Sequence, residues 1–111
     1  MAVDVRNLFN TDLRLALARN SAAAIQIGGV YQLRVDGVGT WGVDLSHYPP
    51  SVVEGLVPNP GVDIGISAPD FQLLLANPRA EAMKMFFSGR LRVKGNTAMA
   101  MQLEKVLALL R

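Results

Sequence analysis

Asp44, Ser46, His47 and Ser51 are where chemistry would be sought first, because one short stretch holds a carboxylate, two hydroxyls and the only histidine. A hydrolytic relay needs a serine on a strained turn, a histidine beside it and a carboxylate behind the far ring nitrogen. Neither serine sits in such a motif, and Pro49-Pro50 makes the stretch a loop that cannot lie inside a sheet. A metal site would need ligands that the neighbouring sequence lacks. The chain has no cysteine, so disulfides, thiol chemistry and cysteine-based zinc sites are excluded. No catalysis, no cofactor and no metal is expected.

Gly37-Val38-Gly39-Thr40-Trp41-Gly42 matches the letter of a dinucleotide fingerprint. That chemistry needs a helix immediately afterwards, with its first amides facing a pyrophosphate. Val43-Asp44-Leu45 and then Pro49-Pro50 leave no room for one, so a glycine-assisted hairpin is expected instead. Arg90, Arg92 and Lys94 alternate with Leu91 and Val93. Period two sends the cations to one sheet face, the ordinary wet face of an antiparallel sheet. Residues 79–111 carry seven basic and two acidic residues, a net +5, against −3 for residues 1–78. This asymmetry suits a solvated face, or attraction for an anionic lipid head, acyl-CoA phosphates or a membrane surface. Only 6 % of residues are aromatic and no basic cluster is interleaved with them, so no nucleic-acid partner is expected.

What remains is apolar. Half of the 111 residues are hydrophobic and mean hydropathy is +0.26, consistent with one domain, residues 1–111, and a full core. No apolar run is long enough to span a bilayer, and no secretory signal opens the chain, so a cytoplasmic location is the default expectation. Met99, Leu103, Val106 and Leu110 recur at i, i+4, i+7 and i+11. Met83, Phe86 and Phe87 make a second patch at i, i+3 and i+4. Both are core patterns first, although methionines beside aromatics also suit a surface that moulds around varied apolar ligands.

The elements that would position these residues can be read in order. The apolar spacing of Val5, Leu8, Phe9, Leu13, Ala16 and Leu17 predicts a helix over residues 3–19. A short helix over 22–26 follows, capped by Ser21. Residues 30–35 and 40–45 read as strands joined at Asp36-Gly37, with further strands over 52–57, 62–67 and 89–94. Ser67-Ala68-Pro69-Asp70 opens a helix over 70–76. Asn77-Pro78 opens one over 78–87, and Asn96 caps a last helix over 97–110. The order implies an α+β domain with helices packed on one face of an antiparallel sheet.

Three groups of residues carry a family resemblance. They are Ile27-Gly28-Gly29-Val30-Tyr31-Gln32-Leu33 with Gly39-Thr40-Trp41-Gly42-Val43-Asp44-Leu45, Ala68-Pro69-Asp70-Phe71, and the block Phe86 to Asn96 with Met99-Ala100-Met101-Gln102-Leu103. Over nearly its whole length the chain resembles the sterol carrier protein type 2 (SCP2-like) lipid-binding family. The resemblance implies an α+β fold: a five-stranded, mainly antiparallel sheet covered on one face by helices, with an apolar tunnel between the layers. It implies non-catalytic binding and transfer of fatty acids, fatty acyl-CoA, sterols or other lipids, with transient contact at a membrane surface. Its alternative is an accessory subunit presenting apolar intermediates, of isoprenoid-quinone type, to partner enzymes. Trp41, Phe71, Leu74, Met83 and Phe86 are implied to line the tunnel. So are Phe87, Met99, Leu103 and Leu107. The family often carries Gln where Glu104 stands, and a carboxylate facing the tunnel would disfavour a fatty-acid head.

Overall fold

The computed structural model describes residues 2–110. The chain begins with α1 (Val5–Asn7), a π-helical segment (Leu8–Leu13), α2 (Arg14–Arg19) and α3 (Ser21–Ile27). Four strands follow: β1 (Val30–Asp36), β2 (Gly39–Asp44), β3 (Ser51–Glu54) and β4 (Val62–Ser67). Then come α4 (Ala68–Ala76), α5 (Pro78–Phe87), β5 (Arg92–Gly95) and α6 (Thr97–Ala108). The sheet order is β3-β2-β1-β4-β5. Tyr31, Leu33, Val35, Trp41, Val43, Ile64 and Ile66 are all buried, facing the helices, while Arg34 and Asp36 between them are exposed.

Three strand pairings are antiparallel, but β1 and β4 at the centre run parallel. One parallel pair is in keeping with the mainly antiparallel sheet expected, and the connection explains it. A parallel pair cannot be joined by a tight hairpin and needs a crossover. Residues 55–61 provide it, passing over the sheet face that carries no helix. There Gln32, 1 % exposed, becomes the one buried polar side chain among the described residues. Its Nε2 donates to the carbonyls of Trp41 and Gly55, each at 3.0 Å, and its Oε1 accepts from the Val57 amide at 2.8 Å. Gly42 lies opposite Gln32 in the hairpin, and any side chain there would overlap Val57.

Two further elements differ from their sequence reading. The N-terminal helical run is wound as a π-helix over Leu8–Leu13, with Leu8, Phe9 and Leu13 buried. Wider turns of this kind accommodate side chains that a regular helix would stagger. β5 starts at Arg92, not at Gly89. Gly89 takes φ +78°, and the amides of Arg90 and Leu91 donate to Met85 O at 2.9 and 3.0 Å. These bonds finish α5 instead of extending the sheet, so Arg90 leaves the row of Arg92 and Lys94. Its guanidinium donates to Asp70 Oδ1 at 2.6 Å. The caps follow local chemistry: Ser67 Oγ accepts from Asp70 N at 3.2 Å and Asn96 Oδ1 from Met99 N at 3.1 Å. Ser21 instead lies inside α3, and Asn77 makes no side-chain cap.

The Asp70–Arg90 pair has a pH signature. Arg90 chiefly, with Ser67 also donating, outweighs burial and holds the Asp70 carboxyl below the usual carboxylate range. A folded pKa below the unfolded value of ~3.9 means the stabilisation is complete above that value and lost as pH falls through the folded one. Asp70→Asn should therefore flatten the acid limb of stability below about pH 4. Urea midpoints measured from neutral pH downward check this, and equal acid slopes in the two proteins would refute it.

Candidate functional site

The interface between helices and sheet gathers most of the residues implied to hold a ligand. Trp41 is fully buried, with Gly39 beneath its indole; a side chain on Gly39 would come within 2.8 Å of the ring. Phe9 stacks on Trp41 with centroids 4.5 Å apart, and on Phe71 at 5.7 Å. Trp41 Nε1 donates to Asn10 Oδ1 at 3.1 Å, so successive residues of the π-helical segment satisfy both ends of the indole. Phe9, Trp41, Phe71 and Leu74 are each 0 % exposed. These side chains lie together in the buried core between the layers. Leu103 and Leu107 of α6 join the same buried cluster.

The other implied residues sit elsewhere. Phe86 is partly buried against the cluster and meets Phe87 edge-on at 5.4 Å. Met99 is also partly buried, its thioether filling a notch between two glycines. A carbon on Gly61 would stand 2.6 Å from Met99 Sδ, and one on Gly29 2.5 Å from its Cε. Met83 and Phe87 stand at the surface, 57 % and 78 % exposed. The buried face of α5 is instead Pro78, Ala82 and Met85, the alternate stripe of the same helix.

Two grooves flank the outer side of α6. One, of about 380 Å³, lies toward the start of α5 and is lined by Asn77, Pro78, Arg79, Glu104, Lys105 and Ala108. The other, of about 520 Å³, lies between α3 and α6. Its polar lining is Gln26, Gln102 and Lys105, and its apolar walls include Ile27, Ala108 and Leu109. Sequence reasoning missed this second site, because α3 and α6 are brought together only by the fold. Phe9 was visible only as one member of an apolar stripe, with no local sign of its partner Trp41.

The candidate reactive stretch does not form a relay. Ser46 Oγ and the Ser46 amide both donate to Asp44 Oδ1, at 2.6 and 2.9 Å. His47 Nδ1 lies 3.2 Å from Ser46 Oγ and 3.5 Å from Asp44 Oδ1. Serine and carboxylate therefore meet the same ring nitrogen, whereas a relay needs them on opposite ones. The arrangement is an aspartate-capped turn. Burial acts against ionisation of Asp44, but the Ser46 bonds and His47 outweigh it and hold the carboxyl low, ionised but occupied with its turn.

On the open sheet face, Arg34 grips Asp63 through two bonds of 2.9 Å. Arg92 lies over Gly65 and donates to Asp36 at 2.7 Å. Two of the three cations on this face are thus neutralised by neighbours, the wet face expected of it. Among the described residues no cluster of three metal-ligating side chains occurs, and no helix is long and apolar enough to cross a membrane.

A sequence model described as the SCP-2 sterol transfer family matches residues 9–108. No curated protein sequence matches the chain. Among solved structures, it is similar to apo Sterol Carrier Protein 2 from Yarrowia lipolytica, at 26% identity over 92% of this chain and 88% of that one, TM-score 0.72. It is similar to Sterol Carrier Protein-2 from Aedes aegypti in complex with palmitate, at 20% identity over 100% of both chains, TM-score 0.70. A ubiquinone synthesis protein, UbiJ-SCP2, aligns at 20% identity over 96% of this chain and 87% of that one, TM-score 0.66.

Proposed function

The chain belongs to the SCP-2 sterol transfer family, and from that premise we propose that it binds a lipid and carries it without chemical change. The observation that carries the reading is the apolar interface itself: Phe9, Trp41, Phe71, Leu74, Leu103 and Leu107 belong to one buried hydrophobic cluster, with the indole nitrogen of Trp41 satisfied by Asn10. The palmitate complex of the Aedes aegypti relative supports a fatty chain as the ligand class. In this reading the chain of the ligand parts the layers and is lined by Trp41, Phe71, Leu74, Leu103 and Leu107. Phe86 and Met99, partly buried already, yield at the periphery. Met83 and Phe87 serve outside, touching a membrane surface during loading, with Lys84 beside them to meet an anionic head.

Affinity then scales with chain length. Each buried CH₂ contributes about 0.8 kcal/mol, so shortening a fatty acid by two carbons should weaken binding roughly 15-fold. Displacement of a fluorescent fatty acid by a chain-length series tests this, with native mass spectrometry of the purified protein for co-purifying lipid. Transfer between vesicles should slow in Phe87→Ser while binding in solution is kept. Absence of both displacement and co-purifying lipid would overturn the carrier reading.

The closed packing around Phe9 favours a second reading. A chain that keeps the fold but fills its interior would serve as an accessory subunit, presenting apolar intermediates to partner enzymes. The likeness to UbiJ-SCP2 is in keeping with it. The same displacement series separates the two, since the accessory reading expects no lipid uptake by the isolated protein.

A further inference from the structure

We propose that the π-helical segment Leu8–Leu13 is the gate of the apolar interface, and that Asn10 latches it shut. The inference rests on the lipid-binding reading above and names how that interior is opened. Phe9 stands between Trp41 and Phe71, with ring centroids 4.5 and 5.7 Å away. Its ring therefore occupies the place where a chain lined by those two residues would run. The segment that carries it holds a surplus residue relative to an α-helix of the same length, because its hydrogen bonds reach five residues along the chain instead of four. Both flanks, Val5–Asn7 and Arg14–Arg19, are regular α-helix. A surplus residue between α-helical flanks can pass along the helix by exchanging one kind of hydrogen bond for the other. Each residue it passes turns by about 100° around the helix axis and moves about 1.5 Å along it. That movement takes Phe9 off Trp41 without unfolding the helix.

The two flanks are held differently, and this sets the direction of the movement. On the C-terminal side Leu13, Ala16 and Leu17 are buried in the core, so α2 stays. On the N-terminal side α1 is one short turn, capped by Asp4, whose Oδ1 accepts from the Asn7 amide at 3.1 Å. The remaining ties of that side include polar bonds at the surface. Gln72 donates to Val3 O and accepts from Val3 N, each at 2.8 Å, and Arg6 donates to Val38 O at 2.6 Å. Water can replace these exposed partners at little net cost. Asn10 ties the segment to the indole itself. Its Oδ1 accepts from Trp41 Nε1 and its Nδ2 donates to Glu54 Oε1, both at 3.1 Å. The latch is thus the neighbour of the plug and grips the side chain that the plug covers, so bond and stack break together. Asn10, Thr11 and Asp12 are exposed, which leaves the outer face of the gate free to move into water.

The experiment follows the single tryptophan, Trp41, by stopped-flow fluorescence as the full chain is mixed with hexadecanoate or hexadecanol. Withdrawal of Phe9 and loss of the Asn10 bond both change the surroundings of the indole. Asn10→Ala should speed uptake about two- to tenfold, the effect of one hydrogen bond lost from the closed form. It should also raise amide exchange across Leu8–Leu13 without any ligand. Deletion of Asp12 removes the surplus residue and keeps Phe9, Asn10 and Leu13, so it should lock the gate. Uptake should then slow by about tenfold or more, because entry waits on local unfolding, while thermal stability is kept. Phe9→Ala in the deletion background should restore fast uptake, because no plug remains to withdraw. Equal uptake rates in wild type, Asn10→Ala and the Asp12 deletion would overturn the gate and leave the lipid-binding reading standing. Should the deletion fail to fold, unchanged uptake and unchanged amide exchange in Asn10→Ala overturn the gate by themselves. If neither probe is taken up by the wild type or by Phe9→Ala, the lipid-binding reading falls and the gate falls with it.

Discussion

Phe9→Ala should cost the fold about 3–5 kcal/mol, the range for truncating a fully buried aromatic side chain. Phe9 is 0 % exposed, and its ring is held between two others, 4.5 Å from Trp41 and 5.7 Å from Phe71. Truncation loses the transfer energy of the ring and both stacking contacts, and it leaves a void that the sheet side cannot fill. Trp41 is fixed by its neighbour Asn10 and by its place over Gly39, so it cannot follow the missing ring. Leu15→Ala is the control: Leu15 is 55 % exposed and its truncation should stay within about 0.5 kcal/mol. Urea unfolding measures both, and a loss below about 1 kcal/mol for Phe9→Ala would show that the stack is not what holds the N-terminal helices to the sheet.

The same substitution also bears on the ligand. The void would be bordered by Trp41 and Phe71, two of the residues proposed to contact a lipid chain. A chain entering it displaces no native side chain, so a fatty acid should raise the melting temperature of Phe9→Ala by more than it raises that of the wild type. Equal shifts would place the chain elsewhere in the interface.

Local chemistry made much of the architecture legible, and non-local packing hid the rest. Asp36-Gly37, Ser67 with Asp70, and Asn96 announce a hairpin and two helix starts by residue type alone. The hairpin around Gly37 and Gly39 could be told from a nucleotide loop because nothing after it can form a helix. The α5 face was misplaced for a reason periodicity cannot resolve: Met83, Phe86 and Phe87 make one apolar stripe, and Pro78, Ala82 and Met85 another. The fold buries the second, whose side chains are smaller on average, and leaves Met83 and Phe87 outside. The π-helical turn is set by the need to lay Phe9 on Trp41 while Asn10 reaches the indole nitrogen, a demand made by a strand far along the chain. Trp41, Phe71, Leu74, Leu103 and Leu107, implied by the resemblance to line a tunnel, all lie in the buried core. The groove between α3 and α6 was not legible in the sequence, since neither Gln26 nor Lys105 carries any local signal that the other lies across from it.

Gln32→Leu should destabilise the protein by about 3 kcal/mol, although leucine matches glutamine closely in volume and is more apolar. Gln32 is one of the buried side chains, yet it lies on the face that elsewhere carries Arg34 and Asp36, because residues 55–61 cross over it. Its carboxamide satisfies three backbone groups: the carbonyls of Trp41 and Gly55 and the amide of Val57. Leucine offers none of these bonds, and each group left unsatisfied away from water costs about 1–3 kcal/mol. Gly55 and Val57 are only half-buried, so water recovers part of their loss, which brings the total toward the lower end of the sum. Gln32→Glu separates hydrogen bonding from shape. A carboxylate keeps the acceptor for Val57 but puts an acceptor against two carbonyls, so it should be worse than leucine near neutral pH and improve as pH falls and a proton restores one donor. Because this crossover permits β4 to pair in parallel with β1, its loosening should also show as faster amide exchange at Val57 and along β4. A Gln32→Leu protein with unchanged stability and unchanged exchange would mean that the crossover is held by Val57 packing on Gly42 alone.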